Sequence, residues 1–519
     1  MARVNAPTDD ILFSLRHVAR ADTLPDWDDE LAGEIVGYFA AFAEERIAPL
    51  DAVGDAEGCR LENGRVRMPE GFVEVYRELA EQGWQGLVAP EAYGGQGLSG
   101  AVLAAVSEIF TGANHSLQMV TGLVPGAIST LKRFGTEAQR EAWLPLLAEG
   151  RWLSTMALTE PGAGSDLSAI RTKAVRDGEG WRLDGEKIFI SGGDQDMSEG
   201  ILHLVLARTG AAEEGVRGLS LFACPAERPD GTRNGVSVTR IEEKMGLHAS
   251  PTCQLAFDGA HAELLGEEGG GLRAMFTMMN HARLDVALQG VAHAARASDL
   301  AKAYAAERRQ GRGPDGAPAT IDAHPDVARM IDECDALAIG GRALCHITLV
   351  ALEKGDQPDF VEFMTPVCKY FCSEAGIRAA DLAIQVMGGY GYLKEYGAEQ
   401  NWRDARICSI YEGTSGIHAR TTATRSLTLN GGAGMRAFAN FVAENDGLAE
   451  AAEAWSKVAA ATAASPDADA YDFMEATASL AYRAAWARVA AVADASADPA
   501  RLRRLAGRVE RRGASSFRA

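Results

Sequence analysis

Apolar residues recur at helical spacing over the first part of the chain, after an arm of mixed polar and apolar residues at 1–34. Val36, Phe39 and Phe42 are three residues apart, which places them on one face of a helix. Similar patterns follow, separated by joints that contain glycine and proline. The pattern therefore predicts one all-helical N-terminal domain at 35–152.

From residue 153 to residue 265 the spacing of apolar residues becomes that of β-strands. Segment 175–185 alternates between apolar and polar residues around an Asp-Gly turn signal, and segments 201–206, 219–222 and 253–257 are short apolar runs. Short strands at this spacing are typical of small all-β units. We expect a middle β domain, either a barrel or a sandwich, at 153–265.

Helical spacing returns after three consecutive glycines at 269–271 and continues to the end of the chain. Long helices are predicted at 272–311, 327–353 and 360–387, which contain few internal glycine or proline residues. A C-terminal helical domain at 266–430 and an alanine-rich helical extension at 431–519 complete the predicted organisation. The fold class is therefore mostly α with a central β domain.

Composition and charge exclude some classes of function. The 51 Lys and Arg residues are outnumbered by 72 Asp and Glu residues, which gives a net charge of −21. Nucleic-acid backbones bind positively charged surfaces, so we expect no nucleic-acid partner. The eight cysteines are scattered, which indicates free thiols of a reducing compartment rather than a metal site or a set of disulfides.

The sequence also gives expectations for location. Its first residues contain no apolar signal core, and no run of 18 apolar residues occurs. We therefore expect a cytoplasmic protein without a membrane span.

Two glycine-containing segments carry the candidate chemistry. Segment 410–417 (IYEGTSGI) places one carboxylate, Glu412, between an aromatic residue and a glycine. Segment 157–166 (ALTEPGAGSD) has two glycines that allow close backbone approach to a ligand, together with the short hydroxyl side chains of Thr159 and Ser165. Taken alone, the first segment is also compatible with a solvated loop glutamate, and the second with a turn that caps a helix.

Four motifs occur in a fixed order: LTEPGAGSD at 158–166, WRLDGEKIFIS at 181–191, QVMGGYGY at 385–392 and YEGT at 411–414. Together they resemble the acyl-CoA dehydrogenase family over residues 35–430. The resemblance implies an N-terminal helical domain, a middle β domain and a C-terminal four-helix bundle, here followed by an extra helical region. The extension is similar to that of a long-chain-architecture branch of the family.

The resemblance also implies a role for individual residues. Glu412 would be the base that removes the α-proton, and Ser165, Arg283, Tyr411 and Gly413 would contact the substrate. The positions expected to bind FAD are Met156, Leu158, Thr159, Gly164, Ser165, Phe189, Ser191, Arg308, Gln385, Gly388, Gly389 and Thr414. No metal is implied.

Some positions depart from the family pattern. Arg308 lies in the segment ERRQGR, which lacks the phenylalanine that usually follows the arginine. Phe189 and Ser191 stand where tryptophan and threonine are usual. Some branches carry their base immediately before the equivalent of Arg283, but that position is Ala282 here, so Glu412 is the carboxylate left at a known base position.

The activity implied is FAD-dependent α,β-dehydrogenation of an acyl-CoA to a trans-2-enoyl-CoA, with hydride transfer to flavin N5. An electron-transfer flavoprotein is the expected acceptor, and a homo-oligomer, a dimer or a tetramer, is the expected assembly. Three alternatives stay open: an acyl-CoA oxidase, a lyase-type relative and an FAD-containing, DNA-binding relative of the alkylation response. The charge of −21 argues against the last. The acyl group is left undetermined.

Overall fold

A computed structural model describes residues 5–228, 230–313 and 316–512. The chain divides into two compact units. The bundle unit comprises Met1–Glu45, Ser99–Ala113 and Arg283–Ala519, and the barrel unit comprises Arg46–Leu98 and Asn114–Ala282.

The α-helices of the described chain are numbered here in chain order. They are α1 (Thr8–Phe13), α2 (Asp29–Phe42), α3 (Pro49–Glu57), α4 (Phe72–Glu81), α5 (Gly100–Thr121), α6 (Val124–Phe134), α7 (Glu137–Ala148), α8 (Gly271–Glu307), α9 (Pro325–Lys354), α10 (Pro358–Met387), α11 (Ala398–Ala405), α12 (Ser415–Thr421), α13 (Ala433–Ala443), α14 (Ala449–Ala464), α15 (Pro466–Ala491) and α16 (Pro499–Arg512).

The strands are numbered in the same way. They are β1 (Arg60–Glu62), β2 (Arg65–Arg67), β3 (Trp152–Ala157), β4 (Lys173–Asp177), β5 (Gly180–Ser191), β6 (Gly200–Arg208), β7 (Leu219–Pro225), β8 (Val236–Ile241), β9 (Thr252–Leu265), β10 (Arg309–Arg312) and β11 (Pro318–Thr320). The predicted fold class, mostly α with a central β domain, is confirmed. The bounds of the five predicted segments stay predictions.

The seven-stranded sheet of the barrel unit closes on itself. Strand β6 pairs antiparallel with β7, β7 with β9, β9 with β5 and β5 with β4, and β4 meets β6 again through Lys173 and Arg208. Strand β3 adds to β6 in parallel, and β8 adds to β9. Strands β6 and β7 are buried along almost their whole length, so they form the interior wall from which the outer strands extend.

The expectation that residues 35–152 contain only helices is wrong at one place. Strands β1 and β2 form an antiparallel hairpin whose turn residues, Asn63 and Gly64, both have positive φ. An Asn-Gly pair is the preferred sequence of such two-residue turns, because both central positions need left-handed backbone. The segment is too short to show strand periodicity, but its turn chemistry was present in the sequence.

The bundle unit is built on α9 and α10. Their interior faces form one hydrophobic core together with the part of α8 that belongs to this unit and with α13, α14 and α15. The large side chains of this core include Phe363, Phe371, Phe438 and Trp455. The extension is therefore part of the core of this unit. Helix α9 is long and apolar enough to cross a membrane by length and composition alone, but 89% of its most apolar window is buried, as in the core helix of a globular unit.

Helix α8 ends earlier than predicted. It stops at Glu307 instead of continuing to residue 311, and β10 follows at once and pairs with β11. The last residues of the predicted helix, Arg309, Gln310 and Gly311, include no apolar side chain to bury, and Gly311 adopts positive φ. The helix therefore ends immediately before Arg308, one of the predicted cofactor contacts.

Candidate active site

The backbone around Glu412 is held in an uncommon conformation. Glu412 has φ of 54° and Gly413 has φ of 95°. Left-handed backbone is rare for residues other than glycine and is concentrated at functional sites. A Cβ at position 413 would lie 2.8 Å from Nε2 of His418, so only glycine fits after the glutamate.

Buried side chains fix this loop from behind. Nζ of Lys369 on α10 donates to the carbonyl oxygen of Gly413 at 2.7 Å, and the lysine is 0% exposed. Nε2 of His418 donates to the carbonyl oxygen of Glu412 at 3.0 Å. Thr414 is the N-cap of α12, where its side chain accepts from the backbone N–H of Ile417 at 3.2 Å. Two successive carbonyl oxygens and the next side chain are thus fixed in place.

The charge state of Glu412 follows from these surroundings. Burial raises the pKa of Glu412 to about 7, and the positive charges of Arg283 and Lys369 hold it below the value that burial alone would produce. Burial also lowers the pKa of Lys369 to about 8. A carboxylate whose pKa lies near the working pH is well suited to take a proton from carbon, because it is ionised yet still basic.

A chain of hydrogen bonds, called here the polar bridge, begins at the residue before Glu412. The hydroxyl of Tyr411 donates to Oε1 of Gln289 on α8, and Nε2 of Gln289 donates to Oδ2 of Asp285 at 3.1 Å. The other carboxylate oxygen of Asp285 accepts from the hydroxyl of Ser107 on α5. These four residues link α5, α8 and the base loop within the bundle unit.

The bundle unit also contains a cleft of about 510 Å³ where α8 ends and α10 ends. Arg308, Gly388 and Gly389 line it, and the guanidinium of Arg308 lies 5.4 Å from the ring centre of Tyr390. Among the described residues Arg308 makes no ion pair, and no atom lies within 4 Å of a Cβ built on either glycine. Gln385 is exposed on α10 and does not line the cleft.

In the barrel unit, a buried ion pair shapes the loop that follows β3. Nζ of Lys187 on β5 is bonded at 2.8 Å to the carboxylate of Glu160 and at 2.8 Å to the carbonyl oxygen of Leu158. Glu160 also accepts from the backbone N–H groups of Arg171 and Thr172 at 2.7 and 3.0 Å. This pair holds the loop against β5, the strand that carries Phe189 and Ser191.

The predicted flavin residues of this unit lie on that loop and on that strand. Phe189 has φ of 58° and is 60% exposed, which is unusual for a large apolar side chain. Ser191 is half-buried two residues later. Met156 lies on β3, and Leu158, Thr159, Gly164 and Ser165 lie on the loop that follows it. The backbone N–H of Ile188 donates to the carbonyl oxygen of Thr159 at 2.8 Å.

The sequence contained signals for two residues that motif reasoning missed. Lys187 is buried on β5, a strand along which buried and exposed side chains largely alternate. Lys369 interrupts an apolar stretch of α10 that is otherwise buried. Lysine is rarely buried without a partner, so a lysine at a core position indicates a bound acceptor. Which acceptor it binds depends on residues far away in the sequence.

The sequence matches three domain profiles of one family. They are the N-terminal domain of acyl-CoA dehydrogenase at residues 32–151, its middle domain at 155–260 and its C-terminal domain at 269–427. The 3-methylmercaptopropionyl-CoA dehydrogenase of Ruegeria pomeroyi is 42% identical over an alignment 466 positions long, which covers 85% of this chain and 79% of that protein.

Solved structures agree with this assignment. A chain reported with the electron transferring flavoprotein of Acidaminococcus fermentans has a TM-score of 0.66 at 28% identity, over 76% of this chain and 96% of that one. The Caenorhabditis elegans protein ACDH-11, solved with C11-CoA, has a TM-score of 0.82 at 22% identity, over 97% of this chain and 90% of that one. The second likeness concerns the fold alone and includes the C-terminal extension.

The protein is thus an oxidoreductase of the flavoprotein type, in which a helical domain, a β domain and a second helical domain follow one another along the chain. The chain belongs to the acyl-CoA dehydrogenase family. It is an oxidoreductase that acts on acyl-CoA, as predicted, and the expected similarity to the branch that includes 3-methylmercaptopropionyl-CoA dehydrogenase is confirmed. Members of the family are FAD flavoproteins.

The residues present in each unit fit parts of FAD. The dinucleotide needs a surface for a flat ring and a site for an anionic diphosphate. In the barrel unit, the exposed ring of Phe189 and the anchored loop at 158–166 offer an aromatic and hydrogen-bonding surface. In the bundle unit, Arg308 offers a cation that makes no ion pair with any residue that the structure describes, and the backbone of Gly388 and Gly389 beside it is open. Both features suit the cofactor of the family.

Proposed function

We propose that this protein uses FAD to dehydrogenate the α,β bond of an acyl-CoA, with Glu412 as the base that takes the α-proton. The observation that carries the proposal is the environment of Glu412. A glutamate held at positive φ, with its pKa raised to about 7 and with two cations close to it, has the charge state and rigidity that proton abstraction needs.

The proton balance at the base follows from this geometry. Ionised Glu412 accepts the proton from the α-carbon and becomes a neutral acid, which its buried surroundings favour. The positive charges of Arg283 and Lys369 keep enough of the carboxylate ionised before the reaction. The backbone N–H of Glu412, held by the rigid loop, is proposed to donate to the thioester oxygen as negative charge develops there.

FAD, when bound, supplies the acceptor for the β-hydride. Its flavin ring is proposed to be held by Phe189, Ser191 and Met156 and by the loop residues Leu158, Thr159, Gly164 and Ser165. The diphosphate and adenine end of the cofactor is proposed to be contacted from a neighbouring subunit by Gln385, Gly388 and Gly389, with Arg308 as the cross-subunit arginine. Thr414 is proposed to contact FAD beside Glu412. Lys187 takes part indirectly, since it fixes the position of the loop through Glu160.

The partners and the location remain proposals of the same kind. We infer that an electron-transfer flavoprotein accepts the electrons and that the protein forms a homo-oligomer in the cytoplasm. The likeness to a chain reported with an electron transferring flavoprotein supports the first inference. The acyl groups to be tried first are 3-methylmercaptopropionyl, which the relative in Ruegeria pomeroyi oxidises by its name, and simple straight chains.

The test compares the wild-type protein with Glu412→Gln, both loaded with FAD. Glutamine keeps the size of the side chain but cannot take a proton. We expect the variant to retain FAD and to lose reduction of the flavin by acyl-CoA by about a thousandfold or more. Flavin reduction at the wild-type rate by the variant would remove Glu412 from the mechanism. Rapid oxygen consumption by the wild-type protein would favour the oxidase alternative.

A further inference from the structure

We propose that the polar bridge restricts this enzyme to short acyl groups, about the size of butanoyl, and excludes long alkyl chains. The inference rests on the proposed function, since it concerns the substrate of the site at Glu412. It goes further because it assigns the choice of acyl group to Gln289 and its neighbours, Tyr411, Asp285 and Ser107.

Each residue of the bridge is hydrogen-bonded to at least one other, which makes the bridge hard to displace. Both carboxylate oxygens of Asp285 accept a hydrogen bond, one from Ser107 and one from Gln289. The amide of Gln289 uses its N–H toward Asp285 and its oxygen toward Tyr411. Gln289 is 1% exposed and Ser107 is 8% exposed. The central amide is thus shielded from water, whereas Asp285 and Tyr411 are half-buried. If Gln289 loses its partners, no solvent is there to replace them.

The bridge begins directly beside the base. The α-carbon of a substrate must meet the carboxylate of Glu412, and Tyr411 is the adjacent residue of the same rigid loop. On α8, Arg283 acts electrostatically on Glu412, and Gln289 follows six residues later, about 9 Å along the helix. The side of the base that faces this stretch of α8 is therefore closed by Tyr411 and Gln289.

The chemistry of this wall selects by length. A short acyl group ends before it reaches the buried amide of Gln289 and the half-buried carboxylate of Asp285. A long alkyl chain that continued in this direction would have to separate Tyr411 from Gln289 or Gln289 from Asp285, and no methylene group can replace the lost hydrogen bonds. We expect the loss of these hydrogen bonds to lower kcat/KM for long-chain acyl-CoA by about tenfold or more, although longer chains offer more apolar surface to bury.

The first measurement needs no variant. The FAD-loaded wild-type protein is mixed anaerobically with butanoyl-CoA, octanoyl-CoA or dodecanoyl-CoA, and the rate of flavin reduction gives a relative kcat/KM. A preference for butanoyl-CoA over dodecanoyl-CoA of about tenfold or more is expected. Equal rates, or a preference for dodecanoyl-CoA, would overturn the length restriction and leave the proposed function standing. A flavin that no acyl-CoA reduces would overturn the proposed function and this inference with it.

The second measurement assigns the restriction to the bridge. Gln289→Ala removes the central amide, and we expect the ratio of dodecanoyl-CoA to butanoyl-CoA rates to rise by about tenfold. Gln357→Ala is the matched control, because Gln357 is exposed at the start of α10 in the same unit, and its ratio should stay at the wild-type value. If Gln289→Ala still binds FAD but keeps the wild-type ratio of dodecanoyl-CoA to butanoyl-CoA rates, the bridge is not the cause of the length restriction.

Discussion

Replacing Glu412 with glutamine should stabilise the protein at neutral and alkaline pH, in addition to abolishing proton abstraction. The folded protein holds the pKa of Glu412 at about 7 instead of the ordinary value of 4.5. The folded state therefore favours the protonated carboxyl. Below pH 4.5 this group does not oppose folding, and as the pH rises through about 7 the protein has to keep an unfavourable buried charge.

The size of the effect follows from the same values. A rise in pKa from 4.5 to about 7 corresponds to about 3 kcal/mol at pH well above 7. Glutamine carries no charge at any pH, so the variant avoids this cost. The difference in the free energy of unfolding between Glu412→Gln and wild type should therefore grow by about 2 to 3 kcal/mol between pH 5 and pH 8.

Urea unfolding of both FAD-loaded proteins, followed by circular dichroism at several pH values, measures this difference. Glu450→Gln serves as the control, because it makes the same change at a glutamate that is exposed at the start of α14. A stability difference for Glu412→Gln that does not change with pH would refute the reasoning. So would a wild-type protein that gains stability relative to the variant as the pH rises.

Further predictions concern the residues that support the site. Flavin reduction by acyl-CoA should fall about tenfold for each pH unit below about 7, because protonated Glu412 cannot act as a base. Lys369→Met should raise the pH at which that rate is half-maximal by about one unit, because a positive charge that favours the carboxylate is lost; stopped-flow rates over a range of pH test both statements. Lys187→Met should destabilise the barrel unit by roughly 3 to 5 kcal/mol and lower its FAD content, because a buried carboxylate loses its cation; urea unfolding and the flavin absorbance after gel filtration measure the two effects. Arg308→Leu should weaken FAD binding by about tenfold and reduce its dependence on salt, whereas Tyr390→Phe should bind FAD as wild type does, because the ring that lies beneath the guanidinium is kept; fluorescence titration of the apoprotein with FAD compares the two variants.

The course of the chain was largely predictable, because it depends on local periodicity. The two helices predicted at 327–353 and 360–387 are observed as Pro325–Lys354 and Pro358–Met387. The hairpin around Asn63 was missed although its turn signal is local. The end of α8 was placed four residues too late, because helical spacing alone does not show where the apolar positions stop facing a core.

The identity of the base could be predicted from the motif, but its environment could not. Glu412 differs from a solvated glutamate through the burial around it and through Arg283 and Lys369, which are about 130 and 40 residues away in the sequence. The polar bridge likewise joins Ser107 on α5 to Tyr411. Such contacts depend on how helices pack, and no local pattern encodes the partner of a given polar side chain.

The measurement that tests the account most directly is an anaerobic spectrum of the purified wild-type protein during titration with butanoyl-CoA. The account predicts a yellow protein whose oxidised-flavin absorbance disappears as one equivalent of the acyl-CoA is added, together with formation of the trans-2-enoyl-CoA. A protein that binds FAD and stays yellow with butanoyl-CoA, with 3-methylmercaptopropionyl-CoA and with longer chains would contradict it.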